Sequence, residues 1–451
     1  MMNALRAEIR PMLRLALPLA MAELGWMAMG FVDTLMAGRL SAAAMGAGSL
    51  GNMLFFPIAI CGTGMLLGMD TLVAQAYGAR DLAGCRRSLV QGLWIAAGLS
   101  PVVVVLLALT IPLLRVTGTN PRVLELVGPF MRALLWGVPP LLAFAALRRY
   151  LQAMDIVKPI TFAVVSANVL NFAGNWIFMY GNLGAPRMGL TGSGLSTSIS
   201  RVYIALVLLV AVVRHERRQA ALSGRAVWPR RPEWTLIRRL LALGFPSAMQ
   251  ILVEGGVFAL VAVMAARFDE VALAAHSIAV NVISTTFMVP LGISSAAAIR
   301  VGQAVGRGSP RDAARAGWTA LLLGAGFMAS AGLALAVVPR WIARLYSPEA
   351  AVVVSGAALL RIAAIFQTFD GLQVVATGAL RGLGDTRTPA LAHFTGYWLI
   401  GMPIAWMLSF RFAWGVSGIW AGLTCALIVI GVILVVAWQR EVASARRIPA
   451  A

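Results

Sequence analysis

The sequence predicts an all-α integral membrane protein with twelve transmembrane helices in two pseudo-symmetric six-helix bundles. Hydrophobic residues make up 60% of its 451 residues, only 12% are charged, and the mean hydropathy is +0.84. A soluble globular domain carries about 25% charged residues, so a single buried core cannot account for this composition. Long uncharged stretches instead indicate that much of the chain is solvated by a lipid bilayer.

Twelve apolar spans follow one another along the chain. Seven contain no Asp, Glu, Lys or Arg, and five are interrupted by isolated charges. Each is long enough to cross the hydrocarbon layer, which takes roughly 20 helical residues. The first is too long for a signal peptide. The predicted spans are 11–38, 40–69, 88–114, 123–147, 159–186, 190–213, 238–266, 271–299, 316–339, 350–379, 388–410 and 412–439.

Internal similarity relates the two halves of the chain. The segment VAQAYGARDLAGCRR at 73–87 resembles VGQAVGRGSPRDAAR at 301–315. A second pair is YLQAMDIVKP at 150–159 and LRGLGDTRTP at 380–389. Because each half contains an even number of helices, both halves have the same orientation, which predicts a parallel repeat about an axis along the membrane normal.

The longest hydrophilic stretch marks the boundary between these halves, since it contains the charged sequence RHERRQ and the segment RPEW. We expect an N-terminal six-helix bundle at 1–213, a cytoplasmic linker at 214–236 and a C-terminal six-helix bundle at 237–451.

The net charge of +20 is distributed according to membrane topology. If both termini are cytoplasmic, 26 basic residues lie in inside segments and eight in outside connections. This asymmetry is what the positive-inside rule requires. The basic balance therefore does not predict a nucleic-acid partner, and most of the arginines are expected to anchor topology.

Four acidic residues lie well inside predicted spans, namely Glu23, Asp33, Glu254 and Asp370. A charged carboxylate at membrane depth costs at least roughly 2.5–3.5 kcal/mol on insertion scales, so such residues mark ion or proton paths by default. The alternative is a structural ion pair with one of the three arginines that also lie inside spans, Arg132, Arg201 and Arg361.

Other polar residues share helix faces at spacings of three or four residues. These sets are Gln250 with Glu254, Gln367 with Asp370 and Gln373, and Asn171 with Asn175. Interhelical hydrogen bonds of about 0.6 kcal/mol each would also explain such residues. For the asparagines, the structural and functional interpretations remain equally open, whereas the faces that contain an acid favour function.

A buried carboxylate can couple transport to an ion in two ways. It can take up a proton, or it can ligate Na⁺, and Glu254 and Asp370 are the candidates for such a Na⁺ site. Either event supplies the differential affinity that a conformational switch needs. An organic cation competing for the same charge would give antiport. No cofactor besides the coupling ion is expected, since the sequence lacks the G-x-x-x-x-G-K-[ST] motif of ATP-driven proteins.

Ordered motifs from about residue 11 to 437 resemble the multidrug and toxic compound extrusion (MATE) family, in its bacterial NorM-like branch. They are MGFVDTLMAG at 29–38, LVAQAYGA at 72–79, NFAGNWIFMYG at 171–181, FPSAMQILVEGGVFAL at 245–260, AAHSIAVN at 274–281, RVGQAVG at 300–306 and FQTFDGLQVVATGALRGLGDT at 366–386.

The resemblance implies roles for several of the acids and amides. Asp33 matches the family's acid on helix 1, with Asn171 and Asn175 beside it. Glu254 and Asp370 match paired acids that are tied to cation coupling. Glu23 departs from the family pattern and could add a cation contact.

The function implied is secondary active antiport. The protein would export cationic or amphipathic organic compounds by alternating access in exchange for Na⁺ or H⁺, as a functional monomer in a bacterial inner membrane. The alternative is a lipid-linked oligosaccharide flippase of the same superfamily. An integral-membrane enzyme is not expected, because no nucleophile and base lie at catalytic spacing.

Overall fold

Long helices account for almost all of the residues that this computed structural model describes, which are 2–116, 121–223, 228–229 and 231–445. No strand occurs among them, so the predicted all-α class is confirmed. The helices are α1 Met2–Leu40, α2 Ala42–Gly64, α3 Gly68–Gly78, α4 Leu82–Val116, α5 Pro121–Leu135, α6 Val138–Ala153, α7 Lys158–Phe178, α8 Leu190–Ser223, α9 Trp234–Ala265, α10 Glu270–Gly306, α11 Pro310–Val337, α12 Pro339–Arg344, α13 Ala350–Leu383, α14 Arg387–Phe394, α15 Met402–Trp406 and α16 Val416–Ala445.

Ten of the described helical segments are long and apolar enough to cross a membrane. An eleventh span is the pair α5 and α6, whose axes differ by 45°. The predicted span at 388–410 is helical from Arg387 to Arg411, but π-helical turns at Thr395–Gly401 and Met407–Arg411 divide it into segments too short to cross alone. With that segment included, the spans agree with the predicted twelve.

The π-helical turns lie on both sides of a proline. Pro403 has no backbone N–H and cannot donate to the preceding turn. Next to it, the N–H of Met402 donates to the carbonyl of Tyr397, five residues earlier, which is the hydrogen bond of a π-helical turn. Single π-turns within α-helices frequently mark functional positions, and Tyr397 is buried beside the acids described below.

Local sequence explains where several helices begin and end. The Ser41 hydroxyl accepts a hydrogen bond from Ala44 N at 3.0 Å, and Asp269 Oδ1 accepts one from Ala272 N at 2.7 Å. Both are N-caps, which satisfy otherwise unpaired backbone donors. Gly384 ends α13 with a φ of 97°, a left-handed conformation that favours glycine.

Packing divides the chain into two compact units. The N-unit is Met21–Ala248, and the C-unit is Met249–Ala451 together with Met1–Ala20. The divisions fall inside α1 and α9 and not at the ends of the hydrophilic stretch 214–236.

Specific contacts explain why these two helices are shared. In the C-unit, Arg300 Nε donates to Glu8 Oε1 at 2.7 Å, which holds the first part of α1 against α10. In the N-unit, a Cβ atom at Gly244 would overlap the carbonyl oxygen of Met65, so only glycine permits the close approach of α9.

Part of the hydrophilic stretch proposed as a linker is a continuation of α8, which extends to Ser223. Glu216 on this extension is buried and accepts a hydrogen bond from Arg86 Nε at 2.5 Å and another from the Tyr150 hydroxyl. The extension therefore belongs to the N-unit core, and α9 begins at Trp234. Residues 224–227 and 230 of the stretch lie outside the described residues.

Candidate functional site

A polar cluster surrounds Asp33 within the N-unit. Asp33 Oδ1 accepts a hydrogen bond from Asn175 Nδ2 at 2.6 Å, and its Oδ2 accepts one from Thr197 Oγ1 at 3.0 Å. Asn171 bonds both Thr197 and Asn175 at 3.3 Å. The structure thus brings together three predicted residues from α1 and α7 and adds Thr197 from α8.

A buried arginine stands one helical turn beyond Thr197. The Arg201 guanidinium lies 4.3 Å from the centre of the Phe55 ring, a cation–π contact, and interacts electrostatically with Asp33 without forming a direct ion pair. Its Nε and Nη1 donate to no hydrogen-bond acceptor in the described part of the chain. The Asp33 cluster therefore carries opposite charges that nearly cancel.

The space beside Asp33 is small. A cavity of about 10 Å³ is bordered by Asp33, Thr34 and Asn52, among other residues. About 10–15 Å³ is needed to hold one water molecule. In this conformation the cluster can accommodate a proton or a water-sized species but not an organic cation.

A second polar cluster lies within the C-unit. Asp370 Oδ1 accepts a hydrogen bond from Gln373 Nε2 at 3.0 Å. Gln373 Oε1 lies 2.7 Å from His393 Nε2, and Gln250 Nε2 lies 3.3 Å from the same ring nitrogen. His393 Nδ1 contacts the Pro389 carbonyl at 2.8 Å. A chain of contacts thus joins α13, α14 and α9 at buried Asp370.

Glu254 on α9 belongs to the same region. Its carboxylate interacts electrostatically with Asp370, and Tyr397 lies within range of both charges. No basic side chain in the described part of the chain forms an ion pair with Glu254 or Asp370. Two like charges in a low-dielectric site repel strongly, so this pair favours uptake of a proton or another cation.

Hydrogen-bond accounting links the protonation of Asp370 to His393. The Pro389 carbonyl can only accept, so His393 Nδ1 must donate to it. In a neutral ring Nε2 is then an acceptor, to which Gln250 Nε2 can donate, and a Gln373 oxygen 2.7 Å away would face it with no hydrogen between them. The Gln373 amide consequently presents its NH₂ group to His393 and its oxygen to Asp370, which satisfies all partners only if Asp370 is protonated.

The reverse orientation suits an ionised Asp370. The Gln373 NH₂ group then donates to the carboxylate, and its oxygen accepts from a protonated Nε2 of His393. The two orientations of a single amide thus correspond to two charge states of the cluster.

Two predicted residues lie outside both clusters. Glu23, which is partly buried, forms an ion pair with the buried Arg148 on α6, and this pair compensates its charge. Gln367 Nε2 donates to Thr286 Oγ1 on α10 at 2.9 Å. Because Glu23 already has a cationic partner, it adds no free carboxylate to either cluster, and Gln367 links two helices.

Sequence reasoning missed Thr197 and His393 as members of these clusters, and it named Arg201 only as one of three alternative partners for the acids. Thr197 and Arg201 are four residues apart, which places them on one face of α8. His393 is the one titratable residue of the predicted span 388–410 apart from tyrosine. A search for ionisable or hydroxyl residues within spans would have found the position of each, though not its partners.

Among the described residues, no group of three or more His, Cys, Asp or Glu side chains could hold a metal ion. A Na⁺ ion at Glu254 and Asp370 would therefore need amide, hydroxyl or backbone oxygens to complete its shell. Hard cations accept such oxygen ligands readily. The Gln373 amide, which bonds Asp370, is a group of this type in the C-unit cluster.

Apolar spans in two helical units, with ionisable clusters buried inside the spans, define a multi-pass membrane transport protein. The MatE family model matches residues 18–177 and 246–407. The chain therefore belongs to the MATE family, whose members are transporters and not enzymes. The resemblance of the sequence motifs to this family is confirmed.

Several relatives align over almost the whole chain. A probable multidrug resistance protein NorM from Mesorhizobium japonicum is 37% identical, over 97% of this chain and 95% of the relative. A protein of the same name from Rhodopseudomonas palustris is 38% identical, over 97% and 93%. The multidrug resistance protein PmpM of Pseudomonas aeruginosa is 34% identical, over 98% and 93%.

Solved structures share the fold. The eukaryotic MATE transporter AtDTX14 superimposes with a TM-score of 0.84 at 20% identity, over 98% of this chain and 99% of that structure. A multidrug resistance MATE family transporter in its outward-facing conformation gives 0.86 at 18% identity, over 99% of this chain and 98% of that structure. At these identities the similarity concerns the fold.

Proposed function

We propose that this protein is a secondary active antiporter that exports cationic or amphipathic organic compounds in exchange for Na⁺ or H⁺. The observation that carries the proposal is the pair of a partly buried Glu254 and a buried Asp370, which has no basic partner in the described part of the C-unit. Burying an uncompensated carboxylate is costly. A bound cation or proton removes that cost by supplying a positive charge. We infer that this cation or proton is the coupling ion.

The class of substrate follows from the relatives and from the charges. Relatives at 34–38% identity carry the name multidrug resistance protein, which supports export of several organic compounds. The acids in the spans favour substrates with a positive charge.

In the coupling mechanism, the coupling ion and the organic cation compete for the carboxylates of Glu254 and Asp370. When the ion or proton binds at Glu254 and Asp370, the Gln373 amide adopts one orientation, and His393 changes its hydrogen bonding accordingly. An ion that binds one conformation more tightly shifts the equilibrium toward it. The substrate path would then open to one side of the membrane at a time.

Membrane location and orientation follow from the sequence. The excess of arginines in alternate connections supports a cytoplasmic location for both termini. The bacterial relatives support an inner-membrane location. We infer a functional monomer, since one chain supplies both units and both ionisable clusters.

The test is ethidium efflux from proteoliposomes that contain the purified protein, with Na⁺ and H⁺ gradients imposed separately. We expect efflux under at least one gradient, and a loss of at least tenfold in Asp370→Asn and in Glu254→Gln. Glu441→Gln is the matched control, because Glu441 is an exposed acid near the end of α16.

The outcomes separate the function from the site. Gradient-driven efflux that survives in both acid variants would contradict the site assignment while leaving antiport intact. No efflux of any organic cation under either gradient, with the protein inserted, would contradict antiport and favour the lipid-linked oligosaccharide flippase.

A further inference from the structure

An exposed arginine inside a span stands beside a cavity in the N-unit. Arg132 lies in the last turn of α5 and is exposed, unlike the buried Arg201. Its Nε makes only a long contact of 3.4 Å to the carbonyl oxygen of Gly128, and it forms no ion pair to another described residue. A guanidinium in this position needs a polar partner.

The cavity beside Arg132 has a volume of about 500 Å³ and lies between α4 and α5. Most of its wall is apolar, with Ile111, Leu124 and Leu135 among the lining residues. Among the described residues that line it, the charged ones are Arg132 and Glu125. The site therefore combines a hydrophobic surface with one positive and one negative group.

The depth of Arg132 matches the edge of the hydrocarbon layer. The helices α5 and α6 together extend about 50 Å, well beyond the roughly 30 Å of hydrocarbon. Arg132 lies about 16 Å along the axis from Pro121, so a centred span places it a few ångströms inside that edge. A long side chain at this depth can extend its guanidinium to the level of lipid phosphates.

Glu125 completes the match to one kind of headgroup. It lies seven residues before Arg132, two turns along the same helix face, and is exposed. Guanidinium groups bind phosphate through paired hydrogen bonds, and carboxylates accept hydrogen bonds from an ammonium group. A phospholipid with a phosphate and a primary ammonium carries both partners, and its acyl chain would contact the apolar wall.

We propose that this cavity is a binding site for phosphatidylethanolamine, with Arg132 on the phosphate, Glu125 on the ammonium group and one acyl chain along Ile111 and Leu124. The choline group of phosphatidylcholine has no N–H to donate to Glu125, and phosphatidylglycerol brings no positive charge. Glu125 therefore sets the preference among headgroups. This site is separate from both ionisable clusters, and the proposal does not depend on the coupling mechanism.

Native mass spectrometry of the purified protein tests the proposal with matched-chain phosphatidylethanolamine, phosphatidylcholine and phosphatidylglycerol. We expect phosphatidylethanolamine to bind at least fivefold more tightly than the other two. Arg132→Gln should weaken its binding at least tenfold. Glu125→Gln should retain binding and reduce the preference over phosphatidylcholine to less than twofold. Arg361→Gln, which changes an exposed arginine within α13, is the control and should behave as the wild type.

Two further measurements test the lipid site independently of the Arg132 variant. Ile111→Trp leaves both charges in place, fills the cavity and should weaken binding, so it provides a test even if the Arg132 variant does not fold. Soluble glycerophosphoethanolamine at equal concentration should not displace the lipid, because it lacks acyl chains. Equal binding of all three lipids to the wild type, tighter phosphatidylglycerol binding, or full binding by Arg132→Gln would overturn the proposal.

Discussion

The two units of this transporter carry their buried acids in different ways. In the N-unit, Glu23 pairs with Arg148, and Asp70 accepts from Arg149 Nη1 at 3.1 Å. Asp33 is influenced by the nearby charge of Arg201. In the C-unit, neither Glu254 nor Asp370 has a basic partner among the described residues. We therefore expect an acid in a direct ion pair to be structural, and an acid without a basic partner to take its positive charge from solution.

The internal repeat shows that this difference between the units arises at equivalent positions that hold different residue types. The similarity between 150–159 and 380–389 aligns Arg148 and Arg149 with Gly378 and Ala379. A Cβ atom at Gly378 would overlap the carbonyl oxygen of Ser294, so α13 packs directly against α10 at this level. The N-unit fills the same level with ion pairs, and the C-unit fills it with close backbone contact.

The largest expected effect comes from breaking the N-unit ion pair. Arg148→Ala leaves Glu23 buried without a cationic partner, because the two side chains are only 6% and 15% exposed. Removing one partner of a buried pair costs about 3–5 kcal/mol. We expect a loss of this order in the free energy of unfolding in detergent micelles, measured by denaturant titration.

The matched control for the ion pair is Arg361→Ala, an exposed arginine within α13, which should change stability by less than about 0.5 kcal/mol. The double variant Glu23→Gln with Arg148→Met removes both charges and should recover most of the loss. Equal destabilisation by Arg148→Ala and Arg361→Ala would show that the pair is not structural.

A smaller effect is expected when the C-unit amide is removed. Gln373→Leu disconnects Asp370 from His393 and should lower gradient-driven efflux about tenfold, the usual cost of an outer-shell partner. Gln367→Leu breaks the hydrogen bonds to Thr286 and to the Met328 sulfur, leaves the Asp370 cluster intact and should lower efflux less than threefold. Initial efflux rates across a series of imposed gradients provide the measurement. Equal losses in the two variants would argue against a special role for Gln373.

The smallest effect tests the charge balance in the N-unit. Arg201→Gln removes the positive charge beside Asp33 and leaves the carboxylate uncompensated, as in the C-unit. A single charge at partly screened distance changes ion affinity by a few-fold. We expect the coupling-ion concentration for half-maximal efflux to fall about threefold, and no change in Arg361→Gln. An unchanged value in Arg201→Gln would restrict coupling to the C-unit.

Much of the fold and part of the site could be predicted from the sequence. Charge-free stretches longer than the bilayer is thick identify spans without knowledge of their packing. The acids Asp33, Glu254 and Asp370 were recognisable because carboxylates inside apolar spans are rare. Their partners Thr197 and His393 are distant in the chain and of common residue types, so no local pattern connects them.

The roles of two acids could not be separated in advance for the same reason. Glu23 and Glu254 both lie in apolar spans, but only the structure places Arg148 against the first and Asp370 near the second. The arginines at 148 and 149 were assigned to topology, because a basic residue at the end of a span usually anchors it. Packing of α6 against α1 and α3 gives them a second, structural role.

The sequence by itself determined that this is a membrane protein, how many spans it has and to which family it belongs. Apolar stretches and ordered motifs can each be recognised within a short segment of the chain. Only the tertiary structure decided which buried charges cancel, since an electrostatic partner is set by distance in space. Glu23 and Arg148 are 125 residues apart in the chain and form an ion pair in the folded N-unit. The functional difference that we propose between the two units rests on contacts of that kind.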